Sequence, residues 1–267
     1  MRDPHHAADK PARVRAMFSA IAGSYDLNNR LHSFGLDQRW REKAVALAGV
    51  GLTDTVVDVA CGTGDLAIKF SRAGAGRVIG IDFTYPMLPL ARAKEGRKRG
   101  TLLLIGGKKQ ECPPFLPTIQ NPRSKIQNVT WLCADAMHLP LADACADVVS
   151  IAFGIRNVGD PLAALREFRR VLRPGGRLII LEFSLPTRPW LRGAYNFYFR
   201  HVLPLTATLV SRDRSGAYRY LPESVNTFLG RDELMALLRA AGFGQIEHHA
   251  LSLGVCACYR GLARVRP

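Results

Sequence analysis

The sequence predicts an α/β protein built on a doubly wound, Rossmann-like parallel sheet. Short β-branched runs alternate with helix-length amphipathic segments from residue 55 to residue 183. The first run closes in a glycine turn, Cys61-Gly-Thr-Gly64, that opens directly into a helical pattern. With 48% apolar and 22% charged residues, the chain of 267 residues suits one ordinary core. At this length roughly 70 to 75% of the unfolded surface is buried.

Residues 1–12 are polar, contain His and Pro, and read as a disordered tail; 13–267 read as a single domain. Between Ala12 and Ala48 two helical patterns, around Val14, Phe18 and Ile21 and around Trp40, Val45 and Leu47, are joined by Tyr25–Gly35. Thr55–Ala60 reads as the first strand and Leu66–Phe70 as a helix. Arg77–Asp82 reads as the second strand and Met87–Lys98 as its helix. Thr101–Gln127 breaks the alternation with Pro113, Pro114, Pro117, Pro122 and Gly106-Gly107, and reads as an inserted loop. Strands resume near Val129–Cys133, Asp147–Phe153 and Arg177–Phe183. The helix Leu162–Leu172 precedes the last of these and stops at Arg173-Pro-Gly-Gly176. An aromatic, basic stretch over 184–230 leads to a final helix, Arg231–Gly242, and strand-like runs near 245–250 and 255–261.

The net charge is +15 and unevenly spread. Residues 69–127 carry 12 basic and 3 acidic side chains and residues 185–231 carry 7 and 2, whereas 128–184 balances at 6 and 6. Such patches suit an anionic surface, either nucleic acid or a membrane's cytoplasmic face. The six cysteines form no CxxC pair and read as reduced thiols, with neither a disulfide framework nor a metal site expected. Met1–Arg15 lacks a signal peptide's apolar core, and no apolar run reaches spanning length. A cytoplasmic protein, at most peripheral on the inner face of the membrane, is the expectation.

In Val57-Asp-Val-Ala-Cys-Gly-Thr-Gly-Asp65, Gly62 and Gly64 remove the Cβ atoms that would keep a ligand off the backbone, and the helix start aims free N–H groups at the space. The turn also fits the loose dinucleotide pattern. Asp58 on the strand and Asp65 at the helix start would repel a pyrophosphate and attract the ammonium and sulfonium of S-adenosylmethionine. Asp82 ends the second strand where ribose hydroxyls would lie. Asp135 follows the third, placed for an adenine amino group with the Ala136 N–H toward a ring nitrogen. This spacing favours S-adenosylmethionine over NAD.

The chain resembles the C-methyltransferases of ubiquinone and menaquinone biosynthesis. The resemblance runs from about Val14 to Gly261 through Met17–Asp26, Ser33-Phe-Gly35, Asp58–Asp65, Phe153-Gly-Ile-Arg-Asn-Val158, Leu172–Leu178, Leu181-Glu-Phe-Ser184 and Tyr218-Arg-Tyr-Leu221. It implies a seven-stranded class I methyltransferase sheet with an N-terminal helical lid. It also implies cofactor contacts at Thr63, Asp82, Asp135 and Ala136, and C-methylation of a polyprenyl quinol, either demethylmenaquinol or a methoxy-polyprenyl-benzoquinol. Two departures stand out: Ala152 where the family carries a hydroxyl residue, and Asn28 where it carries methionine.

A ring carbon attacks a methyl group only after its neighbouring hydroxyl shares its proton, which asks for polar groups near that oxygen. Tyr25, Arg156 and Asn157 are the candidates for this catalytic work; Arg156, always protonated, would stabilise a phenolate rather than act as a base. His32, His138 and His201 stand beside apolar neighbours and read as structural. Trp190–His201 sets aromatics and arginines on one helix-length segment, suited to a membrane interface. No nucleic-acid partner is expected, and the oligomeric state stays open. The rival readings are an enzyme of the same fold acting on RNA or another small molecule, and a non-catalytic adenosylmethionine-binding protein.

Overall fold

The computed structural model describes residues 10–96, 101–103, 129–203, 205–206 and 217–264. Among them lie eight strands: β1 (Thr55–Val59), β2 (Arg77–Asp82), β3 (Thr101–Leu103), β4 (Val129–Cys133), β5 (Ala146–Ala152), β6 (Leu172–Phe183), β7 (Phe243–Leu251) and β8 (Cys256–Ala263). They form one sheet in the order β3-β4-β2-β1-β5-β6-β8-β7. The strands from β3 to β6 pair in parallel, while β8 runs antiparallel to both β6 and β7. The sheet is therefore mixed at one end. Its eighth strand, the short edge strand β3, opens the stretch expected to be a loop, and 104–128 lie outside the described residues.

Every residue of β1 is buried, because helices cover both faces of a parallel sheet. Val57 and Val59 join Ile79 and Phe168 on one side; Val56 joins Phe70 and Trp131 on the other. The covering helices are α4 (Asp65–Arg72), α5 (Met87–Glu95), α6 (Pro161–Val171) and, near the C-terminus, α9 (Arg231–Ala240). Pro161 at the first turn and the Asp160 carboxylate, accepting the Leu162 and Ala163 N–H groups, start α6.

At the N-terminus three helices stand where two were expected: α1 (Lys10–Ile21), α2 (Tyr25–His32) and α3 (Leu36–Ala48). Helix α1 begins inside the stretch read as a tail. Lys10 is buried and donates to the carbonyls of Arg156 (3.0 Å) and Val158 (2.7 Å), which ties α1 to the loop after β5. Residues 1–9 lie outside the described residues. Later, α7 (Pro189–Phe197) runs into a π-helical turn, Tyr198–Val202, and α8 spans Ala217–Thr227. Tyr195, Phe199 and Leu203 are buried, whereas Trp190, Arg192, Phe197 and Arg200 are exposed. Cys61, Cys145, Cys256 and Cys258 are free thiols. Cys133 is disulfide-bonded, against the expectation of reduced cysteines throughout, and Cys112 lies outside the described residues.

Candidate active site

The carboxyl ends of β1, β2, β4 and β5 share one rim, where open α/β sheets hold their ligands. A first cavity of about 820 Å³, part of it open to solvent, occupies that rim. Gly62 reaches it from the turn after β1, and Asp82, Phe83 and Met87 from the segment after β2. Asp135 to Met137 reach it from beyond β4, and Ala152 to Gly154 with Asn157 from beyond β5; Phe18 and Tyr25 close it from α1 and α2. The floor is opened by strained backbone. Ala60 and Phe153, just past β1 and β5, hold φ of 52° and 57°, a left-handed conformation that costs a non-glycine residue about 1–2 kcal/mol.

Asp82 is fixed across the glycine turn. Its Oδ2 accepts the Gly62 N–H (2.7 Å) and its Oδ1 the Thr84 N–H (2.7 Å). Burial pushes its pKa up, and those two backbone donors pull it down. Asp135 accepts the Met137 N–H at 2.9 Å, with Ala136 walling the cavity beside it. The described lining thus holds two carboxylates and no Lys, Arg or His. It fits a ligand with a cationic centre, hydroxyls and an apolar ring, such as S-adenosylmethionine, and would repel a pyrophosphate.

The two acids on which the charge argument rests, Asp58 and Asp65, are absent from this lining, where Asp82 and Asp135 stand instead. Asp58 lies beneath the cavity, 1% exposed, with its Oδ1 accepting the Ser150 hydroxyl at 2.7 Å. Burial pushes its pKa up to about 7. Asp65 faces away from the cavity, where Lys94 (2.7 Å) and Gln38 (3.1 Å) donate to it; although burial raises its pKa, those donors hold it below the usual range. Thr63 donates to Asp26 of α2 (2.6 Å) and accepts from Lys94 (2.9 Å), so its hydroxyl clasps the lid rather than lining the cavity. Gly64, at φ 81°, is a packing glycine, because a Cβ there would collide with the Trp131 ring.

A second cavity of about 850 Å³, also partly open to solvent, adjoins the first. Its walls are mainly apolar, with Met17, Ile21, Trp40, Phe183, Phe199 and Leu203 prominent among them, but they also carry Asp37, Arg41 and Arg156. Phe18, Tyr25 and Phe153 line both cavities and form the partition between them. Burial raises the Tyr25 pKa against the pull of Arg41, of a hydrogen bond with Asn29 and of Arg156. Tyr25 also lies over the turn, its Cε1 3.8 Å from the point a Cβ on Gly62 would occupy.

Arg156 and Asn157, in the short turn after β5, part company. Arg156 lines the second cavity and Asn157 the first. The Arg156 Nη1 donates to Glu182 Oε1 (2.6 Å) and to the Phe153 carbonyl (2.8 Å), and its Nε to the Ser224 hydroxyl (3.3 Å). Arg156 is 4% and Glu182 2% exposed, so this is a buried ion pair. Asn157 accepts the Tyr220 hydroxyl at 3.1 Å, joining a residue of the first cavity to one of the second.

Arg41, Trp40 and Tyr220 are pocket residues that sequence reading missed. The signal available for Arg41 was Asp37 one helical turn before it, an i,i+4 pair in which Nη1 and Oδ2 stand 3.1 Å apart. Of the histidines read as structural, His32 lines the second cavity, its Nδ1 3.2 Å from the Tyr198 hydroxyl, and burial lowers its pKa. Of the two departures, Ala152 lines the first cavity without a hydroxyl. Asn28 is 1% exposed and donates to the Ser24 carbonyl (3.2 Å), outside both linings.

Comparison with known proteins gives two matching family models, one of them a general methyltransferase domain over residues 57–180. The model of the ubiE/COQ5 methyltransferase family matches residues 6–106 and 119–263, its gap falling inside the stretch read as an insert. A Syntrophotalea carbinolica protein, named ubiquinone/menaquinone biosynthesis C-methyltransferase UbiE, is 42% identical over 93% of this chain and 93% of its own. A Thermus thermophilus demethylmenaquinone methyltransferase is 43% identical over 92% of this chain and 99% of its own. Among solved structures, a Thermotoga maritima SAM-dependent methyltransferase matches with a TM-score of 0.58 at 20% identity, over 93% of this chain and 99% of that one. That likeness is one of fold alone.

Proposed function

The chain belongs to the ubiE/COQ5 methyltransferase family, and from that premise we propose that it moves a methyl group from S-adenosylmethionine to a ring carbon of a reduced polyprenyl quinol. One observation carries the reading: an acid-bearing cavity and a largely apolar one that carries Arg41 and Arg156 meet at a partition of Phe18, Tyr25 and Phe153. The cofactor, when bound, supplies an electrophilic methyl group on a sulfonium. Asp82 holds its ribose hydroxyls and Asp135 its adenine amino group, with the Ala136 N–H on a ring nitrogen. Gly62 lets the backbone approach. Asp58, Thr63 and Gly64 support this cradle from behind: Asp58 ties β1 to Ser150 of β5, Thr63 clasps the lid, and Gly64 seats α4.

The quinol ring enters the second cavity and its prenyl chain follows the apolar walls. Tyr25, at the partition, bears on the ring oxygen whose proton must be shared. Arg156 stabilises the negative charge that develops there, and its burial makes that charge more valuable than it would be in water. Asn157 positions Tyr220 across the partition. Holding carbon, methyl and sulfur in line and excluding water is the larger part of the work.

Among the described residues no helix is long and apolar enough to cross a membrane. The exposed face of α7 and of the π-helical turn after it instead offers Trp190 (67% exposed) and Phe197 (64%) with Arg192 and Arg200, while Phe199 of that turn lines the second cavity. That face suits peripheral contact with the inner, anionic surface of a membrane in which a polyprenyl quinol would be dissolved. Incubation with methyl-labelled cofactor and a reduced lipid extract, with and without nuclease, tests the reading. Label on a quinol ring carbon, indifferent to nuclease, is expected; label in RNA, or none, would overturn it.

A further inference from the structure

We infer that Arg41 is a second substrate-contact residue, whose guanidinium takes one of the two ring oxygens of the quinol while Arg156 serves the other. The inference rests on the quinol reading and deepens it. Arg41 stands on α3, is 6% exposed and lines the second cavity. Its guanidinium carbon lies 5.2 Å from the centre of the Phe153 ring, a part of the partition, so it reaches the seam where transfer would take place.

The two arginines differ in what they have left to give. Arg156 is held through Nη1 by Glu182 and the Phe153 carbonyl and through Nε by Ser224, which leaves its Nη2 for the substrate. Arg41 donates Nη1 to the Asp37 carbonyl (3.2 Å) and carboxylate (3.1 Å), yet its buried Nε finds no acceptor among the described residues. Native proteins rarely leave a buried donor unpaired, so each such group asks for an explanation; a ligand oxygen reached by this guanidinium supplies one here. Of the charges acting on the Tyr25 hydroxyl, Arg41 exerts the strongest downward pull on its pKa, ahead of Arg156.

The chemistry asks for such a group. Each hydrogen-bearing ring carbon of a para-quinol is ortho to one hydroxyl and meta to the other. One oxygen therefore activates the attacking carbon, and the second anchors the ring so that only one carbon faces the methyl group. Asp37 and Glu182 offset the two guanidiniums, so the cavity stays close to neutral until charge develops on the substrate.

The test uses the full chain, S-adenosylmethionine, a short-chain quinol, and two analogues each lacking one ring hydroxyl. Arg41→Met should lower kcat/KM for the quinol about 10- to 100-fold, the range of a lost hydrogen bond to a charged group. It should weaken inhibition by one analogue similarly, leave the other unchanged, and leave cofactor affinity near wild type. Arg41→Lys, which keeps the charge facing Asp37, should recover part of the loss; it carries the same comparison if Arg41→Met does not fold. Equal losses on both analogues would indicate a structural residue and overturn the inference. Normal turnover by Arg41→Met would overturn it as well. A wild-type protein that methylates no quinol would overturn the proposed function itself, and this inference with it.

Discussion

The two cavities are adjacent yet built from different material. Polar groups of the first sit on strand ends and are fixed by backbone amides, as Asp82 is by Gly62 and Thr84. Those of the second are long side chains on helices and turns, held by partners far away in sequence, as Arg156 is by Glu182 and Ser224. A strand-end site is specified by local sequence and tolerates change elsewhere. A helix-lined site is specified by packing, so its polar residues carry stability as well as chemistry.

The sharpest way to break this contrast is Arg156→Met, which leaves Glu182 buried without its cation. It should cost about 3–5 kcal/mol in urea unfolding, and pairing it with Glu182→Met should restore most of that. A stability unchanged by the single substitution would mean that Arg156 is no structural anchor.

Next comes pH. Asp58 holds its proton more tightly folded than unfolded, so its contribution is full below the ordinary value near 4 and is lost as pH rises through about 7. Asp58→Asn should gain stability over wild type between pH 5 and pH 8 by something on the order of 3 kcal/mol. Parallel pH profiles for the two proteins would show that Asp58 does not titrate there.

Gly64→Ala should destabilise by roughly 2–3 kcal/mol, because the new Cβ meets Trp131 in a left-handed conformation. Cofactor affinity, corrected for the unfolded fraction, should change little, since Gly64 packs and does not line the cavity. The smallest effect sharpens the contrast most cleanly. Asp82→Ala should weaken cofactor binding by about 1.5–3 kcal/mol by calorimetry, after correction for any unfolded fraction, while leaving quinol binding near wild type. Equal cofactor affinity would remove Asp82 from the site.

The same contrast governs what could be read from the sequence. The buried runs of β1 and β2, the glycine turn and the acids at the ends of β2 and β4 announce themselves within a few residues, because strand-end chemistry is local. Asp65 misled, because only the fold brings Lys94 to it across 29 positions. Helix α2 was hidden, because Tyr25–His32 has little apolar periodicity and is held from outside, through the clasp of Asp26 by Thr63 and Lys94. Arg41 gives little local sign of burial, standing among the charged Arg39, Glu42 and Lys43. Strand β3, three residues long, carries too little pattern to separate from the insert.

The central claim is that the two cavities are halves of one reaction site divided by Phe18, Tyr25 and Phe153. A crystal structure of the protein with S-adenosylhomocysteine and a non-reactive quinol analogue tests it most directly. The account predicts the cofactor's sulfur at the partition, its ribose on Asp82, and the analogue's ring against Tyr25 and Phe153 from the opposite side. A ring bound outside the second cavity, or a sulfur turned away from the partition, would contradict it.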